Sequence, residues 1–171
     1  MKKRYPAFHN LLLYSVFVLY LFVFVTFKFM RGTSSRTINM IPFHIIYNYL
    51  YSDDLIVRSF TPGNMIGNIF LFVPLGIYIT LFSRNKHMPG NVLKIIVFSI
   101  LVESVQFIFK SGIADIDDVL LNTLGGFCGI IIYHTMWYFF KDEDKVRYAI
   151  ELAAPIVGIV FFILFWHDNM L

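Results

Sequence analysis

A chain of 171 residues that is 58% hydrophobic, 15% charged and +0.69 in mean hydropathy is too apolar for water. Soluble domains sit nearer half apolar and a quarter charged, and 20 Phe could not be hidden in one this small without a large exposed patch. The net charge of +3 comes from basic residues scattered at segment ends, a membrane-topology pattern that argues against nucleic acid as a partner.

Residues 1–10 form a cytoplasmic basic leader with Lys2, Lys3, Arg4 and His9. The apolar run 11–29 follows. It exceeds a signal-peptide core and no A-x-A-like site comes after it, so it reads as a retained first span. Residues 30–63 are the longest polar stretch, with an apolar and aromatic middle from Phe43 to Leu50, which predicts a short amphipathic helix or re-entrant piece at the membrane interface. A second span is expected over 65–82 with Pro74 inside it, then a basic turn over 83–91 that holds the breaker pair Pro89–Gly90. The third span is expected over 92–109, an acidic loop over 110–118, the fourth span over 119–140, and a fifth over 148–166 after a charged turn. The fold class is all-α, a polytopic membrane helical bundle of about five spans plus the interfacial segment. The single cysteine, Cys128, excludes an internal disulfide and reads as a small buried hydrophobe.

Lys and Arg placement sets the expected orientation. With the N-terminus inside, nine basic residues (among them Arg84, Lys86 and Lys94) fall on the cytoplasmic side, and five (Lys28, Arg31, Arg36, Arg58 and Lys110) fall outside. The reading is therefore N-terminus in and C-terminus out.

An ionisable side chain inside a span costs roughly 2.5–3.5 kcal/mol on insertion scales and marks a functional candidate. Glu103 is such a residue, about 9 Å from the outer end of its helix, with Gln106 on the same face. Asn64 and Asn68 are four apart at the outer start of the second span, as are Asp118 and Asn122 at the start of the fourth. Arg36 and Arg58 could reach down to a carboxylate. Together these predict an outward-open polar pocket.

Each residue also has a structural reading. Asp117 and Asp118 open a helix, where carboxylates cap free amides. Asn64 and Asn68 could join helices, Gly125, Gly126 and Gly129 could permit close helix approach, and Glu103 could simply pair with an arginine. Asp115, Asp117, Asp118 and Glu103 offer oxygen ligands of the kind Mg²⁺ or Ca²⁺ takes, yet no spacing fixes a geometry, so no metal or cofactor is assigned. A buried Glu beside an Asp could equally be an acid/base pair.

The motifs resemble the VanZ-like family. Arg36-x-x-Asn39-x-Ile41-Pro42-Phe43 and Asn64-x-x-Gly67-Asn68-x-x-x-Phe72-x-Pro74-Leu75-Gly76 resemble its first half. Glu103-x-x-Gln106, then Asp115-Ile116-Asp117-Asp118-x-x-x-Asn122-Thr123-x-Gly125, resemble its second. The resemblance covers 36–133, within a four-helix membrane domain of 11–140, and leaves 141–171 as an additional C-terminal helix. The family's namesake is similar to an accessory factor of glycopeptide-resistance clusters, associated with teicoplanin more than vancomycin, and is not one of the cluster's enzymes. The outward polar cluster and the apolar walls around it, taken with that resemblance, lead to the expectation of a protein of the bacterial cytoplasmic membrane that binds or shields an amphiphile, either a lipoglycopeptide or a lipid-linked cell-wall precursor, among membrane lipids. The expected polar lining is Arg36, Asn39, Asn64, Asn68, Glu103, Gln106, Asp115, Asp117, Asp118 and Asn122. The rival reading is a membrane enzyme acting on a lipid-linked envelope substrate, with Glu103 and Asp118 as acid and base.

Overall fold

The computed structural model describes residues 7–30, 38–51, 54–109 and 114–170. Six helices run in chain order: α1 (Ala7–Met30), α2 (His44–Tyr51), α3 (Leu55–Phe82), α4 (Met88–Ile108), α5 (Ile116–Phe140) and α6 (Glu143–Met170). Four of them are long and apolar enough to cross a membrane, over Phe8–Phe29, Pro62–Phe82, Met88–Ile108 and Ile116–Phe140. These coincide with the first four expected spans. The 24 residues of α1 reach about 36 Å, more than the roughly 30 Å hydrocarbon core. The fifth expected span falls within α6, a continuous 28-residue helix that opens on Glu143 and Asp144 and is not among the four, counted over the described residues.

Several boundaries differ from the sequence reading, each for a local reason. α3 begins at Leu55, ten residues before the expected start at 65, and carries Pro62 as well as Pro74. Proline removes one intrahelical bond each time, a loss that membrane helices tolerate when neighbours hold the segment. α4 begins at Met88, so Pro89 sits in its first turn and does not break it. There the missing N–H is one that no helical carbonyl would have accepted. Among the described residues the one strand pairing is a two-residue parallel pairing of β1 (Ile38–Asn39) with β2 (Ala114–Asp115).

The chain divides into two compact units, Thr26–Tyr133 and a second made of Met1–Val25 with His134–Leu171. In the larger unit the core is built from Phe72, Leu75, Tyr78, Leu81, Ile95, Ile130 and Tyr133, all buried. α5 lies directly on the backbone of α3: a Cβ placed on Gly125 would stand 2.1 Å from the Ile69 carbonyl oxygen, and one on Gly129 2.1 Å from that of Val73. The packing role expected of these glycines is what they perform. The outer flanks of α4 and α5 expose Leu93, Leu101, Ile108, Leu124 and Ile131, as lipid-facing helices do.

In the smaller unit Leu13, Phe24, Val146 and Ile150 are buried. His9 Nδ1 lies 2.9 Å from Glu151 Oε1, and Arg147 donates to Asn10 Oδ1 at 3.4 Å. Glu151 is a buried acid within the expected fifth span, for which the sequence reading gave no role.

Candidate functional site

The motif residues sort into two sets with different work. The first ties loops together. Asn39 Nδ2 donates to both Asp115 oxygens at 3.2 Å, beside the β1–β2 pairing. Asp115 Oδ1 also accepts the Asp117 N–H at 2.9 Å and so caps α5. Asp117, itself buried, does not cap its own helix; its two oxygens accept the backbone N–H groups of Phe43 and Ile45 and so hold the start of α2. Phe43 has φ 63°, a left-handed conformation costly for a non-glycine residue, and the carboxylate holds it there. Asp117→Ala is expected to cost about 2 kcal/mol, because hydrogen bonds to a charged acceptor are worth roughly 1.5–3 kcal/mol each and part of the capping is regained from water. Hydrogen exchange at residues 43–51 should rise before global unfolding; unchanged exchange there would sink the assignment.

The second set forms a buried polar cluster where the end of α1, the early part of α3, the late part of α4 and the start of α5 meet. Its centre is Lys28, in the last turn of α1, a residue that the sequence reading used only for counting charge. Lys28 Nζ donates to Asn68 Oδ1 at 2.9 Å and to Glu103 Oε1 at 3.2 Å, and stands 3.9 Å from Asp118 Oδ2. Its ammonium also lies 5.9 Å from the centre of the Phe72 ring. Asn68 Nδ2 donates to Asp118 Oδ1 at 2.7 Å, and Gln106 Nε2 to the Lys28 carbonyl at 2.7 Å. That carbonyl belongs to the last turn of α1, where no helical amide is left to pair with it. Asn122 Nδ2 donates to Ser99 Oγ at 2.9 Å and to Glu103 Oε1 at 3.4 Å.

Five of the ten expected residues are thus in one cluster: Asn68, Glu103, Gln106, Asp118 and Asn122. Asn39, Asp115 and Asp117 serve the loops. Asn64 is exposed, a turn before Asn68, and Arg36 lies outside the described residues. The reading missed Lys28 and Ser99. Lys28 carried a signal: a basic residue in the last turn of an apolar helix is a cation at the membrane depth of the motif carboxylates. Ser99, one turn before Glu103, carried none beyond that spacing. Among the described residues no three His, Cys, Asp or Glu side chains come together to hold a metal ion.

The model of the VanZ/LLP1 family matches residues 11–140, taking in both the cluster and the loop ties. The chain belongs to the VanZ/LLP1 family. It is 30% identical over 123 residues to "Protein VanZ" of Enterococcus faecium, a stretch that covers 70% of this chain and 73% of that relative. No solved structure matches. The VanZ/LLP1 region ends with α5, so α6 stands beyond it.

Proposed function

We propose that this VanZ/LLP1 protein binds or shields an amphiphile, a lipoglycopeptide or a lipid-linked cell-wall precursor, at the outer face of the bacterial cytoplasmic membrane. The observation that carries the reading is the Lys28–Glu103–Asp118 cluster, with Asn68, Gln106 and Asn122 around it, in which Lys28, Glu103, Gln106 and Asn122 are buried and Asn68 and Asp118 half-buried among helices that are otherwise apolar. Charged groups at such depth are costly to insert and tend to be retained where they engage a ligand. The basic-residue bias, nine against five, supports an outward position for this end of the helices. Apolar walls beside a polar head site suit a molecule with both parts. Teicoplanin differs from vancomycin by a fatty acyl chain, and burial of that chain would discriminate at about 0.8 kcal/mol per CH₂.

Susceptibility of a sensitive host to both antibiotics tests the reading, with empty vector, wild type and Glu103→Gln compared at matched membrane levels. Wild type is expected to raise tolerance to teicoplanin selectively, and Glu103→Gln to lose that effect. No change with wild type removes the resistance role. Turnover of a lipid-phosphate substrate by purified protein would instead assign Glu103 and Asp118 to acid/base chemistry.

A further inference from the structure

The hydrogen-bonding capacity of the cluster is used unevenly. The Lys28 ammonium donates to Asn68 at 2.9 Å and to Glu103 at 3.2 Å, and stands at ion-pair distance, 3.9 Å, from Asp118 Oδ2. The side-chain amides of Asn68, Gln106 and Asn122 each donate within the cluster. Three buried oxygens, Glu103 Oε2, Gln106 Oε1 and Asn122 Oδ1, have no hydrogen-bond partner among the described residues. The parent residues are 4%, 7% and 0% exposed.

The amide orientations are set by chemistry. Turning Gln106 over would put its oxygen against the Lys28 carbonyl, and turning Asn122 over would put its oxygen against Glu103 Oε1, acceptor facing acceptor in both cases. The atoms of the cluster left with no bond at all are therefore acceptors, on side chains that adjoin: Glu103 and Asn122 touch at 3.4 Å, and Gln106 is one turn from Glu103. Charge points the same way, since among the described residues one ammonium faces two carboxylates, Glu103 and Asp118.

We infer that the head group this cluster takes up is a hydrogen-bond donor, a primary ammonium or a sugar hydroxyl, and not a phosphate or carboxylate. The inference rests on the amphiphile-binding reading above and names the chemistry of the head. An anion would face the Glu103 and Asp118 carboxylates, and every nitrogen of the cluster already donates at least once, whereas the three oxygens accept nothing among the described residues. Asp118, whose side chain is 24% exposed, is the member through which a head group reaches Glu103 and Asn122. The tail then lies along the exposed Leu120, Leu124 and Ile108.

The test uses the full chain in phosphatidylcholine nanodiscs, whose choline head carries no N–H or O–H. Dodecylamine, dodecyl glucoside and dodecyl phosphate are titrated and the thermal midpoint is followed. The amine and the glucoside are expected to raise the midpoint and the phosphate not to. Glu103→Gln is expected to weaken the amine roughly tenfold or more, as loss of one charge-assisted bond does, and the glucoside less. If Glu103→Gln does not fold, Asp118→Asn, isosteric and partly exposed, is expected to weaken the amine in the same way. Stabilisation by the phosphate alone or equally, or an amine response unchanged in the folded variants, overturns the inference and leaves amphiphile binding standing. No response to any of the three overturns both.

Discussion

Lys28→Met is expected to lower the unfolding free energy of the purified protein by about 3–5 kcal/mol, the usual result of removing one partner from a buried ion pair. Lys28 and Glu103 are each 5% exposed at the side chain, so solvent screens their contact little. Without the ammonium, Glu103 and Asp118 are left as two like charges with no other cation beside them among the described residues, and Asn68 Oδ1 loses its donor. Glu103→Gln in the same chain removes one of those charges, and the double variant should be more stable than the sum of the single losses predicts. The difference is the coupling energy of the pair. Lys28→Arg keeps the charge but brings a planar fork to a site that uses a tetrahedral donor, so partial recovery is expected. Reversible denaturation of the single and double variants measures all of these. A Lys28→Met protein within about 0.5 kcal/mol of wild type would show that the cluster is not a pair in the energetic sense.

The second large effect belongs to the α3–α5 contact. Gly129→Val is expected to cost at least about 2–3 kcal/mol, the upper part of the overpacking range. The first added atom alone would lie 2.1 Å from the Val73 carbonyl oxygen, and the obstacle is main chain, which cannot rotate aside. Gly125→Val meets the Ile69 backbone in the same way. Relief requires α5 to lift from α3, and that would also separate Asn122 from the rest of the cluster. Gly90→Ala and Gly158→Ala serve as controls, since a Cβ there meets nothing within 4 Å. Those two should be neutral, or stabilising by up to about 1 kcal/mol, because alanine is the better helix former. Equal losses at all four glycines would mean that general helix propensity, and not the close approach, governs the result.

Much of the architecture was legible before any coordinates, because a bilayer constrains sequence severely. A span must be some twenty residues of apolar side chains, so the four membrane-length helices announced themselves within a few residues at most ends. The errors lay where that constraint is weak. Residues 55–64 are polar enough to read as loop, yet they continue α3 toward its start. Pro89 reads as a breaker, yet at the second position of a helix it is harmless.

The chemistry was legible only in part. Family motifs and intramembrane polarity marked Glu103, Gln106, Asp118, Asn122 and Asn68, which do meet. The same cues marked Asn39, Asp115 and Asp117, which are spent on a loop tie and on the start of α2. A carboxylate that holds a neighbouring turn and one that faces a cation are identical in a sequence, since the distinction lies in which donor arrives from a distant segment. Composition and periodicity by themselves determined the membrane class, four of the spans and the polar residues within or beside them, since insertion energy acts on each residue where it stands. Only the tertiary structure decided that Lys28, seventy-five residues from Glu103 in sequence, is the cation of the cluster, because pairing depends on helices that approach through space.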